Sequence, residues 1–91
     1  LRSANPQTRI NTLRALGEIG RNAREYAPQI AELLGDDSPA VRLTAVKVLG
    51  SMGEAGRKEA AGIKKLISDR NTSVSRGALT TLDKMGVPLG D

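Results

Sequence analysis

The sequence predicts an all-α protein, an α-solenoid of about five antiparallel helices built from roughly two and a half copies of a 33-residue helix pair. Three observations predict this fold. Apolar residues recur at helical spacing, the pattern returns after 33 residues, and Tyr26 is the single aromatic side chain among apolar residues that are mostly Ala, Leu, Val and Ile. Such side chains suit closely packed helices, whereas the strands of a β-sandwich or barrel would use more aromatic and β-branched residues.

The 33-residue period is visible as identities between two consecutive segments. Over positions 5–37 and 38–70 ten residues are the same, where unrelated segments would share about two. In the first segment they are Pro6, Arg9, Leu16, Gly17, Gly20, Arg24, Ala27, Ile30, Leu33 and Asp36. A third, partial copy follows from Val74 to Gly86. Because one helix pair cannot bury its apolar face alone, the copies are expected to stack into a continuous core.

Each copy contains a longer and a shorter helical pattern. In the longer one, apolar residues at spacings of four, three, one and three draw one stripe along a helix: Val41, Ala45, Val48, Leu49 and Met52. The shorter pattern runs over 26–34 in one copy and 60–67 in the next, with Tyr26 expected in the core. We therefore expect helices near 6–19, 24–34, 39–52, 57–67 and 72–85.

Local signals mark the ends of these helices. Asn5-Pro6 and Ser38-Pro39 have the form of an N-cap followed by a proline at the first helical position. Asn22 and Glu25 have the spacing of a capping box for the first short helix. A glycine in the left-handed conformation is expected to end each longer helix, at Gly20, Gly53 and Gly86.

The composition excludes several classes of enzyme. The chain has no cysteine and no histidine, which removes the usual zinc ligands, the Ser-His and Cys-His pairs and the commonest general base. Gly17–Gly20 and Gly50–Gly56 look like phosphate loops, but no strand precedes them and no Lys-Ser/Thr pair follows. We interpret them as helix ends, and the glycines inside the helices as points of close helix approach. No catalytic residue, metal ligand or cofactor is predicted, and no enzymatic activity is expected.

The organisation along the chain follows from the repeat. We expect one domain over 1–91, with an unpaired second helix at 5–20, repeats at 21–53 and 54–86, and a tail at 87–91. Neither end carries a polar capping repeat, so a longer chain or a larger assembly is expected to complete it. No apolar run reaches the roughly 18 residues of a membrane span. A soluble intracellular protein is expected, in an organelle if a targeting segment has been removed.

Residues 36–42 and the helix after them resemble a known family. The segment Asp-Asp-Ser-Pro-Ala-Val-Arg, followed by Ala45, Val48, Leu49 and Gly50, resembles the HEAT repeat. The short period and the Leu-Gly-x-Met-Gly and Leu-Gly-x-Ile-Gly endings look most like the subgroup related to phycobilisome lyase repeats. The resemblance implies a right-handed superhelix of the ARM/HEAT type, in which the second helix of each repeat lines the concave side.

The resemblance also implies a structural role for charged residues at the turns. Asp36 and Arg42 occupy the family's Asp and Arg positions, which help to stack successive repeats. Asp69 and Arg9 each hold one of these positions alone, since their expected partners are serines. The ladder of charges is therefore expected to be incomplete at both ends. An aspartate at such a turn can also accept backbone N–H groups at the start of the next helix.

The candidate partner-binding residues are basic. Arg14 and Lys47 share a row on the expected concave face, and a denser cluster is predicted on the fourth helix: Arg57, Lys58, Lys64 and Lys65. Fourteen Lys and Arg against ten Asp and Glu give a net charge of +4, which favours acidic protein partners. Acidic residues are interspersed and one tyrosine cannot form a base-stacking platform, so nucleic acid is not the expected partner.

The expected function is therefore that of a non-enzymatic protein–protein interaction scaffold or a structural subunit of a larger complex. Two alternatives stay open. The lyase-related resemblance implies an accessory subunit of a phycobilin lyase or a subunit of a photosynthetic complex. The net positive charge permits a weak nucleic-acid-binding module.

Overall fold

The computed structural model describes residues 3–89. Within this part of the chain every regular element is helical and no strand occurs, which confirms the predicted all-α class. The α-helices are α1 (Pro6–Ile19), α2 (Ala27–Glu32), α3 (Pro39–Gly50), α4 (Glu54–Arg57), α5 (Ala60–Lys65) and α6 (Thr72–Met85). The 3-10 helices are Gly20–Tyr26, Leu33–Gly35 and Leu66–Ser68. The first two and the last two residues of the predicted 1–91 domain, and thus the end of its tail, lie outside the described residues.

Each long helix begins at a residue whose side chain caps the first turn. The side-chain oxygens of Asn5, Ser38 and Asn71 accept backbone N–H groups of α1, α3 and α6 at 2.8, 3.4 and 3.1 Å. Pro6 and Pro39 occupy the first helical position, where a missing N–H costs no hydrogen bond. The N-terminal signals read from the sequence at these two helices are therefore confirmed.

The glycines expected at the helix ends do have positive φ, but they take two conformations. Gly86 is left-handed, with φ 71° and ψ 27°. Gly20 and Gly53 combine φ of 68° and 61° with ψ of −131° and −130°, so the prediction of a left-handed helical residue is wrong for both. Only glycine reaches that region readily, because a Cβ atom would clash there. This glycine conformation turns the chain directly into the next helical segment.

The two short helical patterns fold as interrupted helices. The predicted helix at 24–34 is a 3-10 helix as far as Tyr26 and continues as α2. The predicted helix at 57–67 is divided between α4 and α5, because Glu59 has non-helical angles of φ −99° and ψ 13°. The capping box expected at Asn22 and Glu25 is wrong, since α2 begins after Tyr26 without a side-chain cap. The expected count of five helices therefore holds only if each interrupted helix is counted as one.

Tyr26 was expected in the core and is instead 44% exposed. The buried residues of this segment are Ala23, Ala27, Ile30 and Leu34. The buried positions of this segment keep α-helical spacing across the junction, and Tyr26 directly precedes Ala27, so it lies beside the buried stripe and not on it.

The long helices lie side by side, with α3 between α1 and α6. The short helix α2 and the 3-10 turn after it pack on α3, and α5 and its 3-10 turn pack on α6. The described chain measures 36 × 30 × 16 Å, so its thickness corresponds to two helix layers at an axial distance of about 8–10 Å. The largest fully buried side chains lie in this core: Leu13, Ile30, Val41, Val46, Leu49, Met52, Ile63, Val74 and Leu82.

Glycines allow the long helices to approach each other closely, as the sequence predicts. A methyl group placed on Gly17 of α1 would lie 3.2 Å from Cγ2 of Val48 on α3. On Gly50 of α3 it would lie 2.7 Å from Cγ2 of Thr81 on α6. The same repeat position therefore allows close approach both between α1 and α3 and between α3 and α6.

Candidate functional site

Two grooves run between the long helices, and the 33-residue period relates them. The first groove, between α1 and α3, has a volume of about 520 Å³, and the second groove, between α3 and α6, about 700 Å³. Ile10, Arg14, Gly17 and Glu18 line the first groove from α1, and their counterparts Leu43, Lys47, Gly50 and Ser51 line the second from α3. The surface is thus a repeated concavity, and a ligand could occupy both grooves.

The second groove is the more positively charged of the two. Its cations are Lys47 from α3 and Arg76 and Lys84 from α6, and none of its lining residues in the described chain is acidic. Residues with hydroxyl groups also line this groove: Ser51, Ser73, Thr80 and Thr81. In the first groove the negative charge of Glu18 partly offsets the positive charges of Arg14 and Lys47. An acidic ligand is therefore attracted more strongly to the second groove.

A third concavity, which we call the turn pocket, has a volume of about 390 Å³ and extends the positive charge to the turn before α4. Arg21, Arg57 and Lys84 line it together with Glu54, and Lys84 lines the second groove as well. The Arg21 side chain lies against Gly53, where a Cβ atom would be 2.7 Å from its Nε. We call the resulting row of cations the basic track; it consists of Arg76, Lys47, Lys84, Arg57 and Arg21.

A bidentate ion pair joins Arg42 on α3 to Asp69 at the turn before α6. Nε of Arg42 donates to Oδ2 of Asp69 at 2.8 Å and Nη2 to Oδ1 at 3.0 Å, and Nη1 donates to the carbonyl of Asp36 at 2.7 Å. The Arg42 and Asp69 side chains are only 17% and 8% exposed. One guanidinium thus links two successive turns.

Arg9 and Asp36 form the equivalent pair one repeat earlier. Nη2 of Arg9 donates to Oδ2 of Asp36 at 3.0 Å, while Nε lies 2.9 Å from Oδ1, within ion-pair distance but without hydrogen-bond alignment. The expectation that Arg9 and Asp69 lack partners is therefore wrong. Each arginine pairs with the aspartate of the next repeat and not with a residue of its own turn. A serine in the same turn therefore leaves neither the arginine nor the aspartate unpaired.

The sequence comparison decides the family. Residues 1–82 match the HEAT repeats. The chain belongs to the HEAT repeat family. No curated protein and no solved structure matches it. HEAT repeats generally mediate protein–protein interaction, and the match does not single out the phycobilisome-lyase-related subgroup.

Three of the predicted partner-binding residues of this HEAT protein line these concavities. Arg14 lies in the first groove, Lys47 in both grooves and Arg57 at the turn pocket. The other three, Lys58, Lys64 and Lys65, line none of these concavities. The single fourth helix that was expected to carry these residues is divided, because Lys58 is the C-cap of α4 while Lys64 and Lys65 lie in the last turn of α5.

Arg21, Arg76 and Lys84 complete the basic track and were not among the predicted residues. Arg76 stands at the repeat position of Leu43, and Arg21 at that of Glu54, so the repeat itself gave no signal for a cation there. Lys84 shares its row with Glu18 and Ser51. A search for charges at helical spacing along 72–85 would have found Arg76 and Lys84, which are eight residues apart on one face.

The aspartates of the ion pairs also organise the turns in which they lie. Oδ2 of Asp36 accepts the backbone N–H of Ser38, and Oδ1 of Asp69 that of Asn71, both at 2.9 Å. The hydrogen bond from Arg42, followed by that from Asn71, lowers the pKa of Asp69 below its usual value. Burial acts to raise the pKa of Asp36, but the hydrogen bonds from Arg9 and Ser38 outweigh it and the pKa is lowered.

Within residues 3–89 no three acidic side chains are grouped so that they could bind a metal ion. None of the helices there has the length and apolar character needed to cross a bilayer.

Proposed function

We propose that this HEAT protein is a non-enzymatic interaction scaffold that binds an acidic segment of a partner protein along the basic track. In this proposal 5–20 is an unpaired second helix, 21–53 and 54–86 are stacked repeats, and together they form a short right-handed solenoid. The long helices α1, α3 and α6 then line its concave side. The observation that carries the proposal is the second groove, in which Lys47, Arg76 and Lys84 have no acidic neighbour among the lining residues of the described chain.

Charge and shape both support an extended acidic ligand. Several cations in a concave surface focus their field and raise the association rate of an oppositely charged segment. The hydroxyl groups of Ser73 and Thr80 can donate hydrogen bonds to carboxylates between the cations. Lys84 connects the groove to the turn pocket, where Arg57 and Arg21 continue the track. Arg14 would extend the same surface across the first groove.

The ion pairs have a place in this function. We assign to Asp36, Arg42 and Asp69 the role of fixing the orientation of successive repeats. Arg42 hydrogen-bonds the turns before both α3 and α6, and so ties together the two walls of the second groove. The role is structural. Loss of an ion pair should therefore lower the free energy of unfolding more than it alters binding in the groove.

The experiment measures binding of a fluorescein-labelled decapeptide of glutamates by fluorescence anisotropy, with a glutamine decapeptide as the uncharged control. Lys47→Glu/Arg76→Glu should weaken binding at least about tenfold. Lys58→Glu/Lys65→Glu makes the same change in net charge at exposed residues outside the grooves and should weaken binding less than about threefold. Equal losses in both double variants would attribute binding to net charge alone and contradict the basic track.

The same protein preparation separates the alternatives. A single-stranded oligonucleotide that binds more tightly than the glutamate peptide at equal salt would favour the nucleic-acid-binding module. No aromatic side chain lines the basic track in the described chain, so stacking of bases is not expected to add affinity. A shift in the visible absorption of an added bilin would favour the lyase-related function, and an unchanged spectrum would argue against it.

A further inference from the structure

The bottom of the second groove is apolar, although cations line the groove. Leu43 is half-buried and its side chain lies against Gly77, since a Cβ atom on that glycine would collide with Cδ1 of Leu43 and lie 3.8 Å from its Cγ. Farther along the groove, Cγ2 of Thr81 would lie 2.7 Å from a Cβ atom on Gly50. Two of these four residues have no side chain, so methyl groups and glycine backbone form the surface where α3 and α6 approach. We call these four residues the groove floor.

Two cations of α6 lie on either side of the groove floor. Arg76 and Lys84 are both exposed and are eight residues apart, which separates their Cα atoms by about 12 Å along the helix. The residues that α6 contributes to the groove floor fall between them. Lys47 lies on α3 at the repeat position of Thr80, the midpoint between the two cations of α6. The second groove therefore presents a cation, an apolar surface and another cation in succession.

An extended peptide segment fits this succession. In an extended chain residues i, i+2 and i+4 point to the same side, and the first and last of them are about 13 Å apart. Acidic residues at i and i+4 can thus reach Arg76 and Lys84 while the residue at i+2 lies over the groove floor. A carboxylate at i+2 would lose water against methyl groups, whereas an apolar side chain gains by leaving water. In an α-helix residues four apart are separated by only about 6 Å.

The first groove does not offer the same arrangement. The repeat position of Leu43 holds Ile10 there, which is only 7% exposed, so less apolar surface is accessible to a ligand. Glu18 lines the first groove at the repeat position of Ser51 and repels an acidic segment. An accessible apolar floor without a lining acid is therefore a property of the second groove and does not follow from the repeat.

We propose that the second groove selects an extended partner segment of the form acidic-x-apolar-x-acidic. Its acidic side chains pair with Arg76 and Lys84, and its apolar side chain lies on Leu43. Lys47 attracts the middle of the segment from the opposite wall. The inference rests on the proposed function, because it specifies which acidic segment the basic track binds. A uniformly acidic segment makes the same charge pairs but leaves the groove floor without an apolar contact.

The probe is a fluorescein-labelled nonapeptide with Glu-Ser-Leu-Ser-Glu at its centre, flanked by Gly-Ser and Ser-Gly. It is titrated at low ionic strength with the full 91-residue chain and followed by fluorescence anisotropy. The matched peptide has Glu-Leu-Ser-Ser-Glu at its centre. It has the same composition and acid spacing, but its leucine points to the opposite side of an extended chain. The first peptide should bind at least about fivefold more tightly than the second.

A pair of leucine variants assigns this preference to the groove floor. Leu43→Ser should reduce it to less than about twofold, because the apolar surface under the peptide leucine is removed. Leu79→Ser is the control and should retain the preference, since Leu79 is 38% exposed on α6 and lines neither groove. The preference is a ratio of two affinities measured with one protein sample. It therefore does not depend on the fraction of each variant that is folded.

Several results would overturn the inference. They are equal affinities of the two peptides, absence of saturable binding of the first, and a preference that survives Leu43→Ser. Each leaves the proposed function intact if the glutamate decapeptide still distinguishes Lys47→Glu/Arg76→Glu from Lys58→Glu/Lys65→Glu; loss of that distinction refutes the basic track itself.

Two other occupants of the groove would also be recognised. Tighter binding of the second peptide would indicate a helical segment, because its leucine and its second glutamate are three residues apart and share one helix face. Displacement of the first peptide by dodecanoate at a lower concentration than by unlabelled peptide would assign the groove floor to an alkyl chain. Either result would contradict an extended acidic-x-apolar-x-acidic segment.

Discussion

Arg42 is joined to Asp69 by hydrogen bonds of 2.8 and 3.0 Å across a separation of 27 residues. Arg9 is joined to Asp36 across the same separation. Each pair therefore links a long helix to the turn that precedes the next one. Because Arg42 also donates to the carbonyl of Asp36, the guanidinium bridges its own turn and the following turn. The orientation of α6 on α3 is thus held by hydrogen bonds as well as by the apolar core.

Removing the charge at Asp69 should lower the free energy of unfolding. Asp69→Asn leaves the Arg42 guanidinium partly buried beside a neutral amide, and a hydrogen bond to a charged partner is worth about 1.5–3 kcal/mol. We expect a loss of about 1–3 kcal/mol in urea denaturation followed by circular dichroism. Asp37→Asn is the control, because Asp37 is exposed, and it should change stability by less than about 0.5 kcal/mol. Similar losses for both variants would contradict the assigned role of the ion pair.

The lowered pKa values of Asp36 and Asp69 predict loss of stability in acid. Between its folded and unfolded pKa a carboxylate binds more protons in the unfolded state, so stability rises with pH there. The contribution is complete above the unfolded value of about 3.9 and is lost as pH falls towards the lower folded pKa. The melting temperature should therefore fall steeply below about pH 4. Asp36→Asn/Asp69→Asn should flatten this part of the profile, and an unchanged acid slope would refute the prediction.

The long helices could be predicted from sequence because their signals are local and repeated. The stripe of Val41, Ala45 and Leu49 and the cap at Ser38 need no knowledge of distant contacts. The partner of Arg42 could not be predicted, because a period of 33 identifies equivalent residues and not the residues that touch. Asp69 becomes its partner only through the packing of α6 on α3.

The residues that line the two grooves were likewise only partly predictable. Lys47 and Arg14 follow from their shared row on the second helices. Arg76 does not, because its repeat position is otherwise apolar and its exposure depends on how α6 packs. The break at Glu59 has no proline to mark it, so a continuous helix was expected and Lys64 and Lys65 were grouped with Arg57. Tertiary packing, and not local propensity, decides the exposure of Arg76 and the break at Glu59.

The N-caps offer a test that distinguishes a cap present in the structure from a predicted cap that the structure lacks. The side chain of Asn71 accepts the N–H of Val74 at 3.1 Å, so Asn71→Ala should cost about 1 kcal/mol. Asn22 is exposed and lies inside a 3-10 helix whose N-cap makes no side-chain hydrogen bond. Asn22→Ala should therefore change the free energy of unfolding by less than about 0.5 kcal/mol. A cost at Asn22 equal to that at Asn71 would restore the capping box and contradict the helix boundary at Ala27.

Gly56 and Gly35 should respond oppositely to substitution by alanine. A Cβ atom on Gly56 of α4 would collide with the backbone carbonyl of Leu49, coming within 2.8 Å of its carbon. Backbone cannot move aside as a flexible side chain can, so Gly56→Ala should destabilise the protein by about 3 kcal/mol and separate α4 from α3. At Gly35 a Cβ atom would meet no atom within 4 Å, and its φ is not positive. Gly35→Ala should leave stability unchanged or raise it by about 0.4–1 kcal/mol, because it restricts the unfolded chain. Urea denaturation of both variants measures the difference, and equal stability would show that α4 does not rest on the Leu49 carbonyl.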